Sequence, residues 1–101
     1  MSTDTVIEKK KTTSRKFQEP KKYKVVICND DVTPMEFVIS MLMTVFKHTE
    51  EQAYNLTMAV HHQGSAVAGI YHYEIAEQKA IDGVNLARAQ GYPLLIKVEE
   101  E

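Results

Sequence analysis

Seven consecutive residues, Asn29-Asp30-Asp31-Val32-Thr33-Pro34-Met35, bring one amide and two carboxylates up against apolar side chains in a chain of 101 residues. Paired carboxylates can work as general acid and base, bind a cation, or do no more than cap a turn. Acid–base catalysis by Asp30 and Asp31 needs both groups aimed at one substrate atom, and neighbours at the end of a strand diverge. A second group lies further on, where Thr57 and His61 are four residues apart on a helical pattern with Val60 beside them. One surface there carries a hydroxyl, an imidazole and an apolar wall. A half-buried histidine beside an acidic knot suits the orientation of a cationic ligand.

The four histidines and the single cysteine, Cys28, raise the question of a metal. His61 and His62 are adjacent on a helix, so they point about 100° apart and are not expected to share a face. No His-x-x-His, His-Glu-x-x-His or Cys-x-x-Cys spacing is present,. A nucleophile elbow and a phosphate-cradling glycine loop are absent as well. No catalytic residue, metal ligand or cofactor is therefore assigned, and the chain is expected not to be an enzyme. The residues alone leave three readings: a binding module, a structural interaction module, and a small metal-dependent hydrolase using Asp30, Asp31 and His61.

The elements that must hold these residues follow from hydrophobic period and punctuation. Tyr23–Cys28 is β-branched and aromatic, a first strand with Tyr23, Val25 and Ile27 on one face,. Thr33, Pro34 and Glu36 read as a capping box, opening a helix from about Pro34 to Phe46. Val38, Met41, Leu42, Val45 and Phe46 form its buried stripe. Lys47 and His48 follow as cations suited to the end of its dipole. Thr49–Gln52 repeats the capping pattern and opens a second helix, with Ala53, Leu56 and Val60 inward and a stop at Gly64. Ser65–Tyr71 is a second strand. Glu74–Gln90 is a third helix packed through Ala76, Ala80, Val84 and Ala87, and Pro93–Val98 is the last strand. Gly83 inside the third helix costs up to about 1 kcal/mol relative to alanine, for no reason visible locally. The expected class is α+β, a small three-stranded and mainly antiparallel sheet covered by three helices in the order β-α-α-β-α-β.

Composition bounds the function. Hydrophobic content of 44% and charged content of 26% are those of a soluble globular domain,. Residues 1–22 hold seven of the 12 basic residues and three of the 14 acidic ones, so a formally +4 extension precedes a −6 core at 23–101. An acidic core of this kind is not expected to bind nucleic acid. The extension reads as flexible, with no regular period. No apolar run approaches the roughly 20 residues of a membrane span, there is no secretory signal, and a lone cysteine suits a reducing compartment. A cytoplasmic location and a monomer are expected.

Taken together, Tyr23-Lys24-Val25, Asn29–Val38, Ala59-Val60-His61-His62-Gln63-Gly64, Glu74–Lys79 and Pro93-Leu94-Leu95 resemble the ClpS adaptors of the bacterial N-end rule. The likeness covers essentially all of 23–98 in order. It implies the β-α-α-β-α-β fold and no catalysis. It also implies recognition of N-degrons, substrates with a free N-terminus beginning with Phe, Tyr, Trp or Leu, and their delivery to the AAA+ unfoldase ClpA (or ClpC) for degradation by ClpP. Under that resemblance Asn29, Asp30 and His61 hold the α-ammonium. Asp31, Thr33, Met35, Val38, Thr57, Val60 and Leu94 border the side-chain pocket, while Glu74 and Lys79 belong to the surface that docks on the unfoldase N-domain. The family usually has methionine where this chain has Thr57. The shorter side chain at the pocket rim is expected to relax the exclusion of Ile and Val. Protonation of His61 is expected to weaken binding by removing an acceptor and adding like charge.

Overall fold

The computed structural model describes residues 20–101. Most of the extension expected over 1–22 lies outside them. The elements are β1 (Lys22–Cys28), α1 (Met35–Thr44), α2 (Glu50–Gln63), β2 (Ser65–His72), α3 (Tyr73–Ala89) and β3 (Leu95–Glu100). This is the expected β-α-α-β-α-β order. β1 is the central strand, and β2 and β3 flank it antiparallel, with Cys28 opposite Ser65 on one side and Leu95 on the other. Three strand ends therefore meet at one end of the sheet: the exit of β1 and the entries of β2 and β3.

The core follows the periods in the sequence. Val25 and Ile27 of β1, Ala68 of β2 and Ile96 of β3 pack with Val38, Met41 and Leu42 of α1, Ala53 and Val60 of α2, and the alanine line of α3. Each large side chain buried this way contributes roughly 1.5–3 kcal/mol of transfer free energy. Alanines let α3 lie close to the sheet. Gly83 takes this furthest, because a Cβ there would come within 2.7 Å of Ile96 Cδ1 and 3.3 Å of Met41 Sδ. The helix accepts a poor helix former at the point where it crosses β3 and α1.

Three local expectations need correction. Thr33 does not cap α1: Pro34 occupies the N-cap, without a side-chain cap bond, and the Thr33 hydroxyl donates instead to Asp30. Lys47 and His48 lie beyond the last turn of α1. Lys47 adopts a left-handed backbone (φ 63°), and His48 Nε2 lies 2.6 Å from the carbonyl of Ala68. Ala68 is the residue that the β1–β2 ladder skips at its bulge, so His48 satisfies a carbonyl the sheet leaves over,. The last strand, expected to end at Val98, runs further. β3 runs to Glu100, Lys21 pairs with Glu100 at 2.9 Å, and Lys22, placed in the extension by the sequence, is already in β1.

The second helix is capped as its sequence demands. Thr49 Oγ1 accepts the Gln52 N–H at 3.1 Å, and Gln52 Oε1 accepts the Thr49 N–H at 3.0 Å. Gly64 ends it in the left-handed region at φ 92°,.

Candidate functional site

The turn that leaves β1 is built around one carboxylate. Asp30 Oδ1 accepts the Val32 N–H at 2.8 Å and the Thr33 N–H at 2.7 Å, and Oδ2 accepts the Thr33 hydroxyl at 2.8 Å. Desolvation pushes the Asp30 pKa up, but the Thr33 and Val32 hydrogen bonds and the positive charge of Arg88 outweigh it and hold the carboxyl below its ordinary value,. A fixed negative charge thus sits at the mouth of the turn, with part of its accepting capacity still free.

One backbone bond brings α2 to this turn. The Asn29 N–H donates to the Gly64 carbonyl at 2.8 Å, continuing the β1–β2 pairing by one step. The last turn of α2, with His61, is thereby held beside Asn29 and Asp30. On the other flank, Leu94 sits one residue before the Leu95–Cys28 pair. Arg88 secures that segment by donating to the carbonyls of Tyr92 at 2.8 Å and Leu94 at 3.0 Å. Tyr92 in turn packs edge-on against Phe37 of α1 at 5.2 Å.

These elements enclose a cleft whose mouth carries Asn29, Asp30, Thr33 and His61. Its walls are Met35, Val38, Val60, Leu94, Thr57 and Cys28. Leu94, Val60 and Val38 are buried, whereas Met35 is 37% exposed at the rim. The open volume is about 20 Å³, enough for one water and far below the roughly 150 Å³ of a cavity that admits benzene. A ring enters only if the rim yields, and Met35, unbranched and exposed, is the side chain able to swing.

Most of the residues singled out in the sequence are therefore brought together, with differences. Asp31 is exposed and does not line the cleft. Its neighbour's hydrogen bonds face Asp30 inward and leave Asp31 outward. His61, expected to be half buried, is exposed, because the last turn of α2 projects past the sheet edge. Its ring and that of His62 do approach each other, edge-on at 5.1 Å, despite their diverging Cβ directions. Thr57, expected at the rim, is 2% exposed. Among the described residues no group of three or more His, Cys, Asp and Glu side chains is placed to share a metal ion. No helix among them is long and apolar enough to cross a membrane.

The sequence assigns no cleft role to Cys28, which lines the wall, or to Arg88, which braces it from outside. Arg88 had no signal at all, since its partners are carbonyls fixed by the fold. Glu74 and Lys79 lie elsewhere, on α3. Glu74 is exposed in the first turn, and the Lys79 ammonium donates to the Val45 carbonyl at 3.0 Å and lies 5.4 Å over the Tyr71 ring.

Comparison with known proteins decides the family. Residues 18–97 match the family model of the ATP-dependent Clp protease adaptor protein ClpS. The chain belongs to the ClpS family. It is thus a Clp protease adaptor and not an enzyme. The ClpS adapter of Shewanella halifaxensis is 40% identical over 98 residues, covering 97% of this chain and 96% of that protein. The ClpS of Nautilia profundicola is 51% identical over 81 residues, covering 80% of this chain and 84% of its own length. Among solved structures, Agrobacterium tumefaciens ClpS2 bound to L-phenylalaninamide superposes with a TM-score of 0.80 at 41% identity, over 82% of this chain and all (100%) of that one. The ClpS match extends from β1 into β3 and includes the whole cleft.

Proposed function

We propose that this ClpS-family adaptor binds N-degrons through the cleft between β1, α2 and Leu94, and passes the bound substrate to ClpA, or to ClpC, for degradation by ClpP in the cytoplasm. The supporting observation is a single cleft with hydrogen-bond acceptors at its mouth and an apolar interior. An α-ammonium has three donors and is mostly charged near neutrality, with a reference pKa of about 7.7–8.0. The Asn29 side-chain oxygen, the Asp30 carboxylate and a neutral His61 nitrogen can accept one donor each. An internal peptide amide has one donor and no charge, so these groups select a chain end.

The interior selects the residue. Burying a Phe-sized ring of about 150–250 Å² contributes roughly 4–6 kcal/mol, and charge-assisted hydrogen bonds about 1.5–3 kcal/mol each. After association costs of several kcal/mol, affinity near micromolar results for Phe, Tyr, Trp or Leu. That the related ClpS2 binds L-phenylalaninamide, a free amine carrying a benzyl side chain, supports the same chemistry here. Thr57, shorter than the methionine usual in the family, leaves more room in the wall of the slot, so Ile and Val enter more readily. In Thr57→Met their affinity should drop several-fold while that for Phe changes little. Glu74 and Lys79 on α3, away from the cleft, serve unfoldase docking in this reading and leave a loaded cleft accessible.

The deciding measurement is a titration with a Phe-Leu peptide whose N-terminus is free or acetylated. The free form should bind near micromolar and the acetylated form at least tenfold more weakly. Equal affinity would rule the proposal out.

A further inference from the structure

Thr57 is the one buried polar side chain among the described residues, 2% exposed, and its Oγ1 has no hydrogen-bond partner. A threonine inside a helix ordinarily satisfies its hydroxyl on the carbonyl four residues back. On α2 that route is not taken. The residue instead lines the cleft with Met35, Val38, Val60 and Leu94, none of which has a side-chain nitrogen or oxygen to offer. The polar groups of the cleft are thus split into two sets. Asn29, Asp30, Thr33 and His61 are at the mouth, and in the wall, whose only other heteroatoms are the sulfurs of Cys28 and Met35, the Thr57 hydroxyl stands alone.

We propose that the Thr57 hydroxyl is a specificity element that pairs with a polar atom on the ligand's first side chain, so that it favours an N-terminal tyrosine over an N-terminal phenylalanine. This rests on the reading of the cleft as an N-terminus-binding slot. Thr57 lies one turn before His61 on the same helix face, about 6 Å along the axis. A side chain running back along α2 from an amine held at His61 and Asp30 therefore passes the hydroxyl. Oγ1 is already sealed from water in the empty cleft, and a phenyl ring filling the slot leaves it unpaired. A phenol supplies an oxygen that can both donate and accept, and a hydroxyl can answer it either way. Sites with a buried group awaiting a substrate hydroxyl discriminate against the analogue that lacks it. A single neutral pair at this position changes the ratio of the two affinities by about three- to tenfold.

The experiment measures dissociation constants by fluorescence anisotropy for two peptides differing only in Phe or Tyr at position one, each also with an acetylated N-terminus. The proteins are the wild type, Thr57→Val, Thr57→Ala and Thr57→Ser. The Tyr-to-Phe affinity ratio should fall about three- to tenfold in Thr57→Val and in Thr57→Ala, and should stay at the wild-type value in Thr57→Ser. Thr57→Val keeps the shape of the side chain, and Thr57→Ala covers the case in which it fails to fold. A ratio within twofold of wild type in a folded variant lacking the hydroxyl overturns the proposal, even where both free peptides bind. Loss of discrimination between free and acetylated peptides in the wild type overturns the underlying slot instead.

Discussion

Three of the roughly four lone-pair sites on the Asp30 carboxylate are occupied by Val32 and Thr33,. The residue is therefore both the framework of its turn and the negative charge of the proposed site, and its two roles separate by substitution. Asp30→Asn keeps an oxygen for the Val32 and Thr33 N–H groups but removes the charge. Affinity for a free-amine peptide should fall about tenfold or more, on the scale of one charge-assisted bond, with a modest loss of stability at neutral pH and no loss of fold. Titration of stability adds an independent check. A carboxyl whose folded pKa is lowered binds its proton more weakly folded than unfolded,. Its contribution is complete above the unfolded value of about 3.8 and is lost as pH falls through the lower folded value. Denaturant melts of wild type and Asp30→Asn should converge in that acid window. Parallel profiles down to pH 2 would contradict the hydrogen-bonded carboxylate.

At the scale of elements, α3 decides how tightly the domain closes. Gly83 lies against Ile96 and Met41, and its cost in helix propensity is offset by the close crossing it permits,. Gly83→Ala gains about 1 kcal/mol of propensity and displaces only the flexible ends of those two side chains, so its net effect should stay within about 1 kcal/mol. Gly83→Val adds two further methyl groups to a filled space and should destabilise by about 1–3 kcal/mol. Urea unfolding of the pair tests the crossing, and equal stability of the two variants would refute it. The end of the same helix matters to the cleft, because Arg88 fixes the segment that presents Leu94. Much of this level was readable in advance. The 3.6-residue stripes of α1 and α3, the Thr49–Gln52 capping box and the Gly64 stop all depend on neighbours within one or two turns. The capping box assigned to Thr33 failed because Asp30, three residues earlier, competes for the hydroxyl.

For the whole molecule, the sheet topology converges three strand ends on one site, and Cys28 reports on it. Its thiol is half buried in the cleft wall and is the only one in the chain. Saturating free-amine Phe peptide should slow its alkylation several-fold, whereas the acetylated peptide should leave the rate unchanged. Protection by neither would place the ligand elsewhere. The sequence by itself determined the six elements, their order and the polar knot, since period, capping and turn chemistry act between residues close along the chain. Its resemblance to a family indicated which residues to gather into one site. Only the tertiary structure decided that Asp31 turns outward, that His61 is exposed, and that Thr57 is sealed without a partner. It also decided that Arg88 holds Leu94 in place. The reason is physical: exposure and hydrogen-bond satisfaction at Thr57 depend on Val38 and Leu94, which are remote in sequence and reach it only when α1 packs on α2 and β3 pairs with β1.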